Sequence, residues 1–195
     1  MTFRRAILVS LTLTAFSFLP NNLLSLSACP LQQEQESLAP FVPSPQDVVE
    51  RMLALAGVTS KDVVYDLGCG DGRIVITAAK KYGAHGVGID YDAERIRESQ
   101  ENAKKAGIEH LVTFKLQDAM TADVSPATVV TLYLLSESNL KLRPMLTKQL
   151  RPGARIVSHM FSMGDWEPEK VDTFESESGI SRTIYLWKTD GRVRP

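Results

Sequence analysis

The stretch Asp66-Leu67-Gly68-Cys69-Gly70-Asp71-Gly72 constrains this chain more than any other. It follows the β-branched run Val63-Val64-Tyr65-Asp66-Leu67. It precedes Arg73 to Tyr82, where Ile74, Val75, Ala78 and Ala79 suit a helix packed on a sheet and Gly83 supplies a stop. A buried parallel strand, a glycine-rich turn and a helix in immediate succession mark the place where an open α/β sheet keeps its ligand crevice. Glycines there allow tight turning and let the backbone touch the ligand.

The same alternation runs through the rest of the chain. Ser44-Pro45-Gln46-Asp47 offers a cap, a proline at the first helical position and an early acid, and predicts a helix from Pro45 to Ala56. Beyond the glycine loop the pattern predicts strand Gly86 to Asp90, helix Asp92 to Ala106, strand Val112 to Leu116, strand Thr128 to Tyr133, helix Glu137 to Leu150 and strand Ala154 to Met160. Such alternation implies a parallel sheet with helices on both faces. Val171 to Phe174 and Arg182 to Lys188 are both strand-like, and the short polar link Glu175 to Ser181 between them fits an antiparallel hairpin. The expected fold is a Rossmann-like, doubly wound α/β sheet of about seven strands, mostly parallel, in one domain over 45–190. A chain of 195 residues, 44% hydrophobic and 23% charged, has room for one such domain and little more.

Loop spacing separates two ligand classes. Gly68, Gly70 and Gly72 make G-x-G-x-G, whereas Arg73 stands where a dinucleotide fingerprint has its third glycine. Asp66 and Asp71 flank the loop, which suits a cationic sulfonium with an α-amino group better than a diphosphate drawn to a helix N-terminus. Gly86-Val87-Gly88-Ile89-Asp90 ends the next strand with an acid roughly twenty residues beyond the loop, able to accept both ribose hydroxyls. The same acid can instead cap the following helix. Gln117-Asp118-Ala119 follows the third strand, where an acid can accept an adenine amino group. NAD enzymes share an acid at the place of Asp90, so it supports a ribose without choosing the cofactor; the loop spacing and its flanking acids favour S-adenosylmethionine (SAM) over NAD, and three acids at three successive strand ends are hard to obtain by chance. The cofactor-binding set is therefore Asp66, Gly68, Gly70, Gly72, Asp90 and Asp118.

These motifs resemble those of the class I SAM-dependent methyltransferases over essentially the whole span from Pro45 to Lys188. A narrower resemblance rests on Phe41-Val42-Pro43-Ser44-Pro45, on Asp66 to Arg73, on Leu150 to His159 and on Trp166-Glu167-Pro168. Those segments are similar to small bacterial relatives of the membrane-associated mitochondrial lysine methyltransferases that modify ATP synthase c-subunit and adenine nucleotide translocase. That resemblance implies a protein lysine as acceptor. A small-molecule methyltransferase for a quinone, lipid or amine is one alternative, and a non-catalytic SAM- or nucleoside-binding module is another.

Methyl transfer by in-line displacement asks a protein for alignment, desolvation and an acceptor lone pair. Tyr133 and Glu137, in Tyr133-Leu134-Leu135-Ser136-Glu137 after the fourth strand, are the candidates for that role, and His159 and Trp166 border the same region. No Asn-Pro-Pro-Tyr motif follows that strand, and the net charge of −1 gives no global attraction for a polyanion, so no nucleic-acid partner is expected. The two cysteines, Cys29 and Cys69, provide neither a disulfide framework nor a zinc cluster, and no metal is expected.

The N-terminus has a different character. Arg4 and Arg5 lead into an apolar run from Ala6 to Leu19, about the length of a secretory h-region and shorter than the roughly 20 residues of a membrane span. Leu26-Ser27-Ala28-Cys29 resembles a bacterial lipobox. Residues 1–29 are thus expected to be a signal peptide, a lipoprotein leader or a membrane anchor, which predicts a membrane-associated or exported protein. Residues 30–44, rich in Gln, Glu, Ser and Pro, read as a tether ending in a stiff strap.

Overall fold

The computed structural model describes residue 38 and residues 41–195; the expected leader and most of the tether lie outside the described residues. In chain order the elements are α1 (Gln46–Leu55), β1 (Val63–Leu67), α2 (Arg73–Tyr82), β2 (His85–Asp90), α3 (Ala93–Ala106), β3 (Val112–Leu116), a 3₁₀ turn (Ala119–Thr121), β4 (Val129–Leu132), α4 (Ser136–Gln149), β5 (Arg155–His159), β6 (Lys170–Glu175) and β7 (Ser181–Lys188). The strands form one seven-stranded sheet in the order β3-β2-β1-β4-β5-β7-β6. The first five run parallel, and β7 is antiparallel to both β5 and β6. The chain winds outward from β1 to β3 and then returns to β4, so the order reverses between β1 and β4. A crevice opens at the carboxyl ends of the strands there.

Side-chain alternation divides the core between the two faces of the sheet. Val64, Val129, Val157 and Ile184 join Val48, Met52 and Leu53 of α1, Ile74, Val75 and Ala78 of α2 and Ala103 of α3. On the other face Tyr65, Val130, Ile156 and Trp187 pack with Leu142 and Leu146 of α4 and with Ala119 and Val124.

Two local expectations are corrected. Ser44 does not cap α1, its hydroxyl pairing instead with His159 Nδ1 at 3.0 Å; Pro45 is the N-cap residue, and its ring has no acceptor to make a side-chain cap bond. Tyr133 lies one residue past β4, which ends at Leu132.

The helix α4 buries the polar side chains of Asn139 and Arg143. Asn139 Nδ2 donates to Ser158 Oγ and to the Phe161 carbonyl, both at 3.1 Å, and Arg143 Nη1 donates to the Met163 carbonyl at 2.9 Å. Those side chains satisfy carbonyls of the irregular segment after β5, which has no ladder of its own.

Candidate functional site

The crevice is walled by the glycine loop, by the residues just beyond β2, β3 and β4, and by the segment ahead of α1. Its lining includes Leu38, Phe41 to Ser44, Asp66, Gly68, Gly70, Asp71, Asp90, Asp118, Tyr133 and Leu134.

Backbone hydrogen bonds hold the loop in place. The Gly68 and Cys69 amides both donate to the Ile89 carbonyl, at 2.8 and 3.0 Å, which ties the loop to the end of β2. Asp90, 7% exposed, takes the Gly70 amide on Oδ2 at 2.8 Å and the Asp92 amide on Oδ1 at 3.0 Å. The helix-cap role goes to Asp92, whose side chain accepts from the Glu94 amide. Each Asp90 oxygen therefore keeps further acceptor capacity while its carboxylate is fixed at two points.

Asp66 is 2% exposed and accepts from Thr131 Oγ1 at 2.7 Å, a bond that joins β1 to β4 at the point where the strand order reverses. Burial pushes its carboxyl up to about 7; the Thr131 bond opposes this, and the neighbouring Asp90 and Asp71 charges add to it. A folded-state value above the ordinary one of 3.8 means that the native chain keeps this proton while the unfolded chain releases it. Its contribution to stability is thus greatest below about pH 4 and is lost as pH rises to about 7. Asp66→Asn should remove that slope, so the difference in urea midpoint between variant and wild type should change steadily across this window. A constant difference would contradict a proton held on Asp66.

The strap closes one side of the crevice. Gly70 has φ 52°, and a Cβ there would overlap the Phe41 ring, so the strap comes closer to the loop than any side chain would permit. The Arg95 guanidinium lies 4.7 Å from the Phe41 ring centroid, a cation–π contact on the strap. Arg73 couples strap and loop: its Nη1 donates to the Ser44 carbonyl at 2.8 Å, and its Nη2 pairs with Asp71 Oδ2 at 2.6 Å. Sequence reasoning singled out neither Arg73 nor Arg95 as an anchor, because both contacts join residues distant in the chain.

The remaining site candidates divide. Asp118 lines the crevice, and its Oδ1 also accepts from the Met120 amide at 2.8 Å. Tyr133 lines it, half-buried. Gly72 is the N-cap residue of α2 and is buried against Phe114 and Ser99 instead of facing the crevice. Glu137 sits exposed in the first turn of α4 and is not among the lining residues. Cys69, although central in the loop, is buried, and burial raises its thiol far above the ordinary range, which makes it a packing group.

Known proteins share this arrangement. Residues 66–170 match the family model for the ANTKMT methyltransferase domain. The chain is 45% identical to a protein-lysine N-methyltransferase of Saccharolobus islandicus over 76% of its own length and 92% of that protein. It is 30% identical to the human lysine N-methyltransferase of the ATP synthase c-subunit over 68% of its length, spanning 56% of the human protein. Among solved structures, an RNA methyltransferase of Salinibacter ruber in complex with S-adenosyl-L-homocysteine (SAH) superposes with a TM-score of 0.73 at 50% identity, over 78% of this chain and 97% of that one.

Proposed function

The chain belongs to the ANTKMT methyltransferase domain family of SAM-dependent methyltransferases, and on that premise we propose that it methylates the ε-amine of a protein lysine. The observation that carries this reading is the acidic crevice. Asp90, Asp92 and Asp118 line it as carboxylates, with the partly protonated Asp66 beside them, and the lining cations, Arg73 and Arg95, are already paired with Asp71 and Glu98. A mouth of this sign attracts an ammonium and repels a phosphate backbone. A relative matched over 92% of its length at 45% identity is a protein-lysine N-methyltransferase, which supports the same acceptor. The Salinibacter ruber protein, described as acting on RNA, is the reason to test the nucleic-acid alternative directly.

The residues present fit the cofactor. Carboxylates stand at the ends of three adjacent strands, and Gly68 and Gly70 leave space that a Cβ would fill against Leu134 and Phe41. When bound, SAM supplies an electrophilic methyl on a cationic sulfur. Asp90 would hold the ribose hydroxyls, Asp118 the adenine amino group, and Asp66 with the loop amides the amino-acid end. Gly72 would serve indirectly, by packing the start of α2. Tyr133 would face the acceptor and take a hydrogen bond from its amine. A lysine must be neutral to attack, and removal from water beside Tyr133 and Leu134 lowers its proton affinity.

Membrane association belongs to the same proposal, supported by Arg4, Arg5 and the apolar run from Ala6 to Leu19. Among the described residues no helix is long and apolar enough to cross a membrane. The test is to incubate the full chain and methyl-tritiated SAM with separated membrane proteins, soluble proteins, lipid extract and total RNA. Label is expected in protein, most strongly in the membrane fraction. Label confined to RNA or to lipid would overturn the lysine reading.

A further inference from the structure

Next to the crevice, two aromatic rings pack against Tyr133. The His159 ring centroid lies 4.0 Å from that of Tyr133, tilted by 31°, and Phe161 stacks on Tyr133 at 6.3 Å. The sheet itself brings these residues together. Leu132 of β4 is paired with Ser158 of β5; Tyr133 follows directly on the end of β4, and His159 is the next residue of β5.

The backbone between His159 and Phe161 is strained. Met160 is the one non-glycine residue with positive φ, 66°, among the described residues. The Phe161 amide donates to the His159 carbonyl at 2.9 Å, which closes a γ-turn of the rare positive-φ kind about Met160. The turn is held from the neighbouring strand, where the Met160 amide donates to the Thr183 carbonyl at 2.7 Å and the Thr183 amide lies 3.4 Å from Met160 Sδ. Strain of this kind persists where surrounding structure imposes it, and it gathers at functional sites. Here its consequence is to return Phe161 to the stack.

His159 is also an uneconomical choice for mere packing. It is 0% exposed, Nδ1 is bonded to Ser44 Oγ at 3.0 Å, and Nε2 is buried without a partner among the described residues. An apolar side chain would fill the space without an orphaned nitrogen. Burial, aided by the Arg182 charge and opposed by Asp47, pushes the imidazole down to about 4, so at neutral pH it offers an uncharged ring face.

We infer that His159 is a positioning residue for methyl transfer: its ring sets the orientation of Tyr133 at the acceptor side, and the Ser44 hydroxyl sets the ring. Ser44 belongs to the strap, and its carbonyl is held by Arg73, which also clamps Asp71 of the glycine loop. A continuous set of contacts thus runs from the cofactor loop through the strap to the acceptor wall. This inference rests on the proposed acceptor role of Tyr133.

The acceptor probe is the protein most strongly labelled by tritiated SAM. His159→Ala should lower kcat/KM for that protein roughly 10- to 100-fold, the scale of a misplaced reacting group, while SAH affinity stays within about threefold of wild type. His159→Phe, which keeps an aromatic face, should restore activity to within about threefold of wild type. Ser44→Ala, the mildest change, should raise acceptor KM about threefold to tenfold and keeps the test open should both ring variants fail to fold. A crystal structure of His159→Ala with SAH should find the Tyr133 ring displaced, a readout that does not depend on the acceptor. Wild-type acceptor kinetics in His159→Ala or in Ser44→Ala, an unmoved Tyr133, or a His159→Phe variant no better than alanine would each overturn the inference. If no protein is labelled at all, the lysine reading fails instead, and the position of Tyr133 still decides this one.

Discussion

Asp90→Ala should weaken SAH binding roughly 100- to 1,000-fold, a loss of about 3–4 kcal/mol. Two effects act together. The carboxylate is the proposed acceptor for both ribose hydroxyls, and each charge-assisted bond of that kind contributes about 1.5–3 kcal/mol. The same two oxygens hold the Gly70 and Asp92 amides at 2.8 and 3.0 Å, so the variant also frees the loop that the ligand must meet. Asp90→Asn keeps one oxygen acceptor and should lose only about tenfold. Calorimetric titration of the two variants with SAH checks the order as well as the size. An alanine variant that binds like wild type would remove Asp90 from the site.

The second large effect is on folding. Gly72 has φ 79°, and a Cβ there would lie 2.7 Å from Phe114 Cε1 and 2.9 Å from Ser99 Cβ. Gly72→Ala combines a left-handed backbone penalty of about 1–2 kcal/mol with overpacking of about 1–3 kcal/mol. A combined destabilisation of about 2–5 kcal/mol should lower the melting temperature by roughly 5–20 °C for a domain of this size. Because Gly72 begins α2 and packs against β3 and α3, the loss should appear without ligand. SAH affinity measured well below the transition should change less than in Asp90→Ala. A variant that melts with wild type but cannot bind SAH would place Gly72 in the crevice instead.

Much of the architecture was legible because it is written in local pattern. The predicted β1 and α2 match the observed Val63–Leu67 and Arg73–Tyr82, where a β-branched run ends at glycine and the helix stops at Gly83 in the left-handed conformation. The hairpin was equally visible, since β6 and β7 alternate around a short polar link. Asp66, Asp90 and Asp118 converge on one crevice because parallel strands deliver their carboxyl ends to one edge.

The misreadings share a different cause. Ser44 has the chemistry of a cap, yet a histidine 115 residues away competes for its hydroxyl. Glu137 is near Tyr133 in sequence, but the turn into α4 carries it to the surface while Tyr133 stays at the strand end. Gly72 looks like a ligand-facing glycine, and only the tertiary approach of Phe114 reveals it as a packing position. Arg73 and Arg95 gain their roles from a strap whose course no spacing rule predicts.

Whether the methyl group ends on a lysine ε-nitrogen is decided most directly by tandem mass spectrometry of the most strongly labelled protein, after reaction with the wild-type chain and with Asp90→Ala. The expected result is mono-, di- or trimethyl-lysine at a defined position with the wild type and a strong reduction with the variant. Methyl groups found on a glutamine amide, a carboxylate or an RNA base, dependent on the same Asp90, would contradict a lysine acceptor.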